Sequence, residues 1–270
     1  MVENKVCRNV ISIHGSDHRG GVTMTATELC RDLKKRMPDR SIVQLAMSAG
    51  SGCDYVKDDV YSIDDIRIHL DNHTLSASEL RLMCRREKGA HMLGGIRNRI
   101  GSRNYFPEMA HYLIESLRTC FDLVICDTGN DPDNGLAIGA LQCSGIRLMV
   151  LSQCESSIRA YEEKSWIYRR LGMDFDHIAV NKYFARDPYD LSYLSERLGM
   201  ARESFITLRM AGYSRQAEMD RQTLSEYRND QYESDLAKLT EILMRDLGYE
   251  AAGRGRRRHV WKTGSTLLTE

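Results

Sequence analysis

The residues with the clearest chemical potential lie together between His14 and Thr25, reading His-Gly-Ser-Asp-His-Arg-Gly-Gly-Val-Thr-Met-Thr. They follow a short β-rich run, Val10-Ile11-Ser12-Ile13, and precede an amphipathic stretch. A glycine-rich turn at a strand–helix junction suits anions, because backbone N–H groups point into it and the helix N-terminus adds partial positive charge. Cradling of phosphate groups is the chemistry this suggests; the plainer alternative is a tight turn that holds no ligand. The usual phosphate-loop spacing, G-x-x-x-x-G-K-[ST], is not met. From Gly15 the second glycine falls at Gly20, but Gly21 and Val22 stand where the lysine and the hydroxyl belong. Other chemistry is weaker. His69 and His73 are spaced i, i+4 like a metal pair, yet no third ligand accompanies them, and they read as surface histidines. His14 and His18 read as solvated loop residues, and Cys120 and Cys126 as small core residues flanking a buried strand. No Ser/His/Asp set carries a recognisable hydrolase signature.

The elements that hold this loop in place are read from hydrophobic period. Apolar runs alternate with amphipathic stretches, the pattern of a parallel sheet covered by helices. Strands are expected at Val10–Ile13, Ser41–Met47, Phe121–Cys126, Ile146–Leu151, Ile178–Val180 and, more weakly, Phe205–Leu208. Thr25 to Met37 has a helical stripe of Ala26, Leu29, Cys30, Leu33 and Met37, with Lys34, Lys35 and Arg36 where the helix dipole favours cations. Further helices are expected over Pro107–Thr119, Ser157–Leu171, Leu191–Leu198 and Asp235–Leu247. The segment from about Ser62 to Ile100 is mixed and yields no clear period. The fold class expected is α/β: three layers with a doubly wound, mostly parallel sheet, in one domain over residues 1–250, followed by a basic, disordered tail over 251–270.

In another register the loop resembles the deviant P-loop of the MinD/ParA family, Lys-Gly-Gly-x-Gly-Lys-Thr. Arg19 then stands at the signature lysine, Gly20-Gly21-Val22 match, Thr23 replaces the third glycine, Met24 the P-loop lysine, and Thr25 keeps the hydroxyl. Downstream segments fall in the family's order. Phe121 to Asp127 resembles its Walker B strand, and His91 to Arg97 with Tyr105 to Arg118 resembles the strand, loop and helix that precede Walker B. Leu151 to Arg159 resembles the strand and helix start after Walker B, Val180-Asn181-Lys182 the position that often reads adenine, and Arg215 to Tyr227 the closing loop. The resemblance covers about Asn9 to Leu247 and implies the P-loop NTPase fold. It also implies nucleotide contacts from Arg19, Gly20, Gly21, Val22, Thr23, Met24, Thr25, Ala26 and Asn181, with Asp127 and Thr25 at Mg²⁺ and ATP as the nucleotide. On the residues alone, Asp127 is equally a capping or turn residue and Asn181 a turn residue. Within the family, Ser62-Ile63-Asp64-Asp65-Ile66 resembles the CpaE/TadZ branch, localisation factors of Tad pilus systems.

Two departures bear on activity. Met24 carries no charge and no donor, whereas a P-loop lysine makes charge-assisted bonds to phosphate. Losing one transition-state donor typically costs about a hundred- to a thousandfold in rate. After Ser41–Leu45 the family carries acidic residues, and here Ala46-Met47-Ser48 has none. The expectation is a pseudo-ATPase: a non-catalytic or weakly catalytic positioning or assembly factor, with ATP and Mg²⁺ binding left open. The first alternative is an active ATPase of DNA or plasmid partitioning in which Arg19 replaces the lysine. The second is a nucleic-acid or membrane adaptor that uses Gly253 to Lys262, which has five Lys/Arg and no acid. The resemblance implies a homodimer; a secretion or pilus ATPase or a membrane-associated assembly protein is a further expected partner, with nucleic acid less favoured.

Composition agrees with a cytoplasmic protein, one that could sit peripherally at the membrane or cell pole. In 270 residues, 38 basic side chains balance 38 acidic ones, which excludes a generally basic nucleic-acid coat. No apolar run approaches the roughly 18 residues of a membrane span, and the opening residues lack a signal-peptide core. The eight cysteines show no C-x-x-C spacing and read as reduced thiols.

Overall fold

Alternate residues of the first strand, β1 (Cys7–Gly15), face two different interiors. Ile11 and Ile13 join an apolar core with Leu29 and Leu33, whereas Val10 joins a second core with Leu113 and Val124. Because side chains alternate along a strand, β1 must lie inside a sheet covered by helices on both faces. The computed structural model describes residues 6–249, apart from 58 and 88 and the side chains of 85–87. The basic tail expected at 251–270 lies outside the described residues.

β1 runs through the glycine-rich loop into α1 (Val22–Arg36) and then β2 (Ile42–Ala46). The segment without clear period folds as a 3₁₀ turn (Ile63–Ile66), α2 (Arg67–Asn72), α3 (Ala77–Met83) and a short hairpin of β3 (Arg85–Glu87) and β4 (Ala90–Leu93). These helices are too short for a period to develop. Their signal is local: Ser62 with Asp65, and Ser76 with Glu79, each close a capping box. Next come α4 (Pro107–Arg118), β5 (Leu123–Asp127), α5 (Gly135–Cys143), β6 (Ser144–Ser152) and α6 (Glu155–Arg170). The chain continues through β7 (His177–Tyr183), α7 (Leu191–Leu198), β8 (Phe205–Arg209), α8 (Ser214–Asp220) and α9 (Asp230–Asp246). The sequence reading missed α5, which is apolar on nearly every side and so has no amphipathic stripe. Its N-terminus is capped instead by Asn134, whose Oδ1 accepts from Leu136 N–H at 2.9 Å. α8 falls where a closing loop was expected.

The eight strands lie in the order β3-β4-β2-β5-β1-β6-β7-β8. All neighbours are parallel except the β3–β4 hairpin at one edge. One face is covered by α1 and α9, and the other by α4 and α5 together with a third cluster that includes Ile158, Tyr168 and Leu194. This is the three-layer, doubly wound α/β arrangement. From the centre, α1 carries the chain from β1 toward β2, while α6 carries it from β6 to β7 on the other side. The crevice at the carboxyl ends of β1 and β6 is therefore the point where winding reverses, which in open α/β sheets is where ligands bind.

Candidate functional site

The glycine-rich loop occupies that crevice. Gly15 N–H donates to Gly129 O at 2.7 Å and Ser16 N–H to Val150 O at 3.0 Å, so the loop is bonded to the ends of both neighbouring strands. Gly21 then takes a left-handed conformation (φ 96°) and α1 begins at Val22. A side chain at Gly21 would strike the Asn181 amide, so both the dihedral and the space require glycine. Arg19 is also left-handed (φ 62°), although it is not glycine.

The loop is one wall of a cavity of about 570 Å³. Arg19, Gly20, Gly21, Val22, Thr23, Met24 and Asn181 all line it. Met210 and Ala211 from the connection after β8, Leu224 from the connection after α8 and Tyr232 from α9 add apolar lining. Thr25 and Ala26 are brought to the loop but not to the cavity. Ala26 is fully buried in the α1 core, and the Thr25 hydroxyl donates back to Gly21 O at 2.9 Å. Asn181 Nδ2 donates to Gly20 O at 2.8 Å, and its Oδ1 accepts from Lys182 N–H at 2.9 Å.

Asp127 ends β5 on the α1 face, fully buried. Its Oδ1 accepts from Gly129 N–H at 3.0 Å, a turn-type bond, while Oδ2 has no hydrogen-bond partner among the described residues. Burial pushes its pKa up to about 6; the Thr23 side chain and the Gly129 N–H pull it back, and the charge of Asp54 adds to the rise. A buried carboxylate with one open oxygen suits a cation. Mg²⁺ fits here because it takes few protein ligands and keeps waters or phosphate oxygens. Asp127 would hold it; the Thr25 hydroxyl oxygen keeps its lone pairs while donating to Gly21 O, although Thr25 does not line the cavity. No cluster of three His, Cys, Asp or Glu side chains able to hold a metal occurs among the described residues.

The connection after β2 does bring a carboxylate to the cavity. Ser48 and Ala49 line the cavity without charge, but Asp54, further along the same connection, lines it too. Sequence reading passed over Asp54 because it lies away from the position where the resemblance placed an acid.

Behind the loop is a polar network that corrects the reading of His14. It is not a solvated loop residue but a fully buried member of β1 on the α6 face. The Thr128 hydroxyl donates to Ile13 O at 2.9 Å, so it accepts from His14 Nδ1–H at 2.9 Å, and Nε2 accepts from the Tyr168 hydroxyl at 3.0 Å. Burial pushes the imidazole pKa down to about 3, helped by the charge of Lys164, against the bond from Thr128. Lys164 Nζ donates to Ser16 O at 2.9 Å and Asn130 O at 3.0 Å, joining the loops after β1 and β5. Ser157 Oγ lies 2.7 Å from Ser16 Oγ and donates to Asp17 Oδ1 at 2.9 Å. A sequence period carries no signal for these bonds, because they join residues 34 to 154 positions apart.

No protein-family model matches the chain, and no curated protein matches it. Solved structures do. A ParA family ATPase from Chlorobium tepidum superposes with a TM-score of 0.75 at 15% identity, over 87% of this chain and 99% of that one. The fold is that of the MinD/ParA ATPases. MinD from Pyrococcus horikoshii in complex with Mg-ADP matches with a TM-score of 0.67 at 14% identity, over 87% of this chain and 95% of that one. McdA from Cyanothece in complex with ATP matches at 0.65 and 13%, over 90% and 97%. In this chain the glycine-rich loop lies between β1 and α1 of that fold. No helix among the described residues is long and apolar enough to cross a membrane.

Proposed function

We propose that this protein is a nucleotide-binding positioning or assembly factor whose ATP hydrolysis is lost or very slow. The observation that carries the reading is the wall of the cavity at Met24. The glycine-rich loop is folded and lines a chamber of mixed polar and apolar residues, yet the side chain at the position that the resemblance gives to the P-loop lysine is a thioether packed into the α1 core. Backbone N–H groups and a helix N-terminus support binding of phosphates; the missing cation weakens stabilisation of charge that develops during transfer. ATP with Mg²⁺ at Asp127 is the ligand this supports. The residues proposed to contact it are Arg19 to Met24 and Asn181, with Asn181 acting mainly through Gly20. The resemblance of Ser62–Ile66 to the CpaE/TadZ branch supports a homodimeric factor that localises a secretion or pilus machine, at the membrane or cell pole, through a single domain over residues 1–250.

One observation favours a second reading, an active ATPase of the partitioning kind. Asp54 brings a carboxylate to the cavity, and the Arg19 guanidinium lines it with no hydrogen-bond or ion-pair partner among the described residues. Calorimetry with ATP, with and without Mg²⁺, combined with a turnover assay separates the two. Binding without turnover is the expected result. Submillimolar binding with measurable turnover that Arg19→Ala abolishes would establish the second reading instead. The adaptor reading depends on residues 253–262, outside the described residues; loss of DNA retention on deleting Gly253–Glu270 would favour it.

A further inference from the structure

We propose that Asn181 and Lys182 form a clamp on the carbonyl side of the glycine-rich loop, and that the Lys182 ammonium serves the phosphate end of the nucleotide in place of the cation lost at position 24. The proposal rests on the nucleotide reading above. Two successive loop carbonyls are held from the end of β7: Lys182 Nζ donates to Arg19 O at 3.0 Å and Asn181 Nδ2 to Gly20 O at 2.8 Å. In a trans peptide the N–H points opposite to the C=O, and no peptide bond among the described residues is cis. Holding these carbonyls toward β7 therefore turns the N–H groups of Gly20 and Gly21 away from it. Neither N–H donates a hydrogen bond to another described residue. Arg19 and Gly21 are left-handed and Gly20 between them is not.

The backbone of Lys182 points the same way. Its φ is 53°, an uncommon conformation for a residue with a long side chain. The β7–β8 register shifts between Asn181 and Tyr183, so Lys182 sits in an irregularity of the ladder. Such irregularities re-aim a side chain, and strain of this kind persists where the surroundings impose it. Here the re-aimed side chain lines the cavity and meets the loop. With one Nζ–H given to Arg19 O, the ammonium retains two further donors and its charge. Position 24 supplies neither.

The test is calorimetric titration of the full chain with ATP, inorganic pyrophosphate and adenosine, on the wild type, Lys182→Ala and Lys182→Arg. Lys182→Ala should weaken ATP and pyrophosphate about tenfold and leave adenosine unchanged, with a shallower salt dependence, and Lys182→Arg should restore most of the loss. An unchanged ATP affinity in Lys182→Ala would overturn the proposal while leaving the nucleotide reading standing. A parallel loss for adenosine would also overturn it, marking Lys182 as a purely structural strut. A wild type that binds none of the three probes would remove the nucleotide reading itself, and the clamp with it.

Discussion

The two sides of the glycine-rich loop are built on opposite plans. Behind it, toward α6, the polar atoms are saturated: His14, Thr128, Tyr168, Ser16, Ser157 and Lys164 bond to one another or to loop carbonyls. In front, toward α1 and the cavity, Asp127 keeps an orphaned oxygen, the Arg19 guanidinium has no partner among the described residues, and the N–H groups of Gly20 and Gly21 donate to none. The chain itself, without a ligand, therefore holds the loop in shape. A loop braced from behind can keep its form whatever side chain stands at position 24, because the brace does not involve that residue.

Breaking the brace should have the largest effect. Lys164→Met leaves two loop carbonyls without their charged donor and should lower unfolding stability by about 3 kcal/mol in urea. It should also let the His14 pKa rise, since the Lys164 charge helps to depress it. Little change in the urea midpoint would mean that the two loops hold together unaided.

The two sides also part with pH, because one titrating group on each side shifts in a direction that opposes the other. His14 is depressed to about 3 in the folded state against about 6.5 unfolded, so the unfolded chain binds more protons between those values. Its contribution is fully present above about pH 6.5 and is lost as pH falls toward 3. Asp127 is raised to about 6 against about 3.9 unfolded, so it penalises the fold as pH rises from about 4 to 6. The two slopes cancel in the window they share. Asp127→Asn removes the penalty and should raise stability at pH 7 by about 3 kcal/mol, leaving a stability that climbs with pH between about 4 and 6. A variant less stable than the wild type at pH 7 would break this account of the front side.

Smaller effects separate the remaining parts. Tyr168→Phe leaves His14 Nε2 as a buried acceptor without a donor and should cost about 1–2 kcal/mol, read from thermal unfolding. Asn181→Ala frees Gly20 O and should cost about 1 kcal/mol, seen also as faster amide exchange along the Arg19–Val22 segment. Equal exchange in the two proteins would show that the loop needs no hold from β7.

Particular elements show what could be read in advance. The runs at Val10–Ile13 and Phe121–Cys126 became the central strands β1 and β5, and Leu191–Leu198 became α7 with the same limits. These signals are local: apolar period, a proline at the first turn of α4, cations at the end of α1. The 62–100 segment and α5 were not legible, the first because its helices are shorter than a hydrophobic period needs and the second because it is buried almost all round. Of the candidate site, the sequence singled out Arg19 to Met24 and Asn181, and the structure brings them to one cavity. Asp54, Lys164 and the bonding of His14 were not.

The residues in chain order were sufficient to set the alternation of strands and helices and to mark the glycine-rich junction, since both arise from contacts a few positions apart. Which groups stand on either side of that junction depended on the folded chain. A lysine on α6, another in an irregularity at the end of β7, and a histidine facing inward from β1 meet the loop only when the parallel sheet brings distant strand ends together. Hydrogen bonding and desolvation are short-ranged, so they take their values from that meeting and not from the residue types.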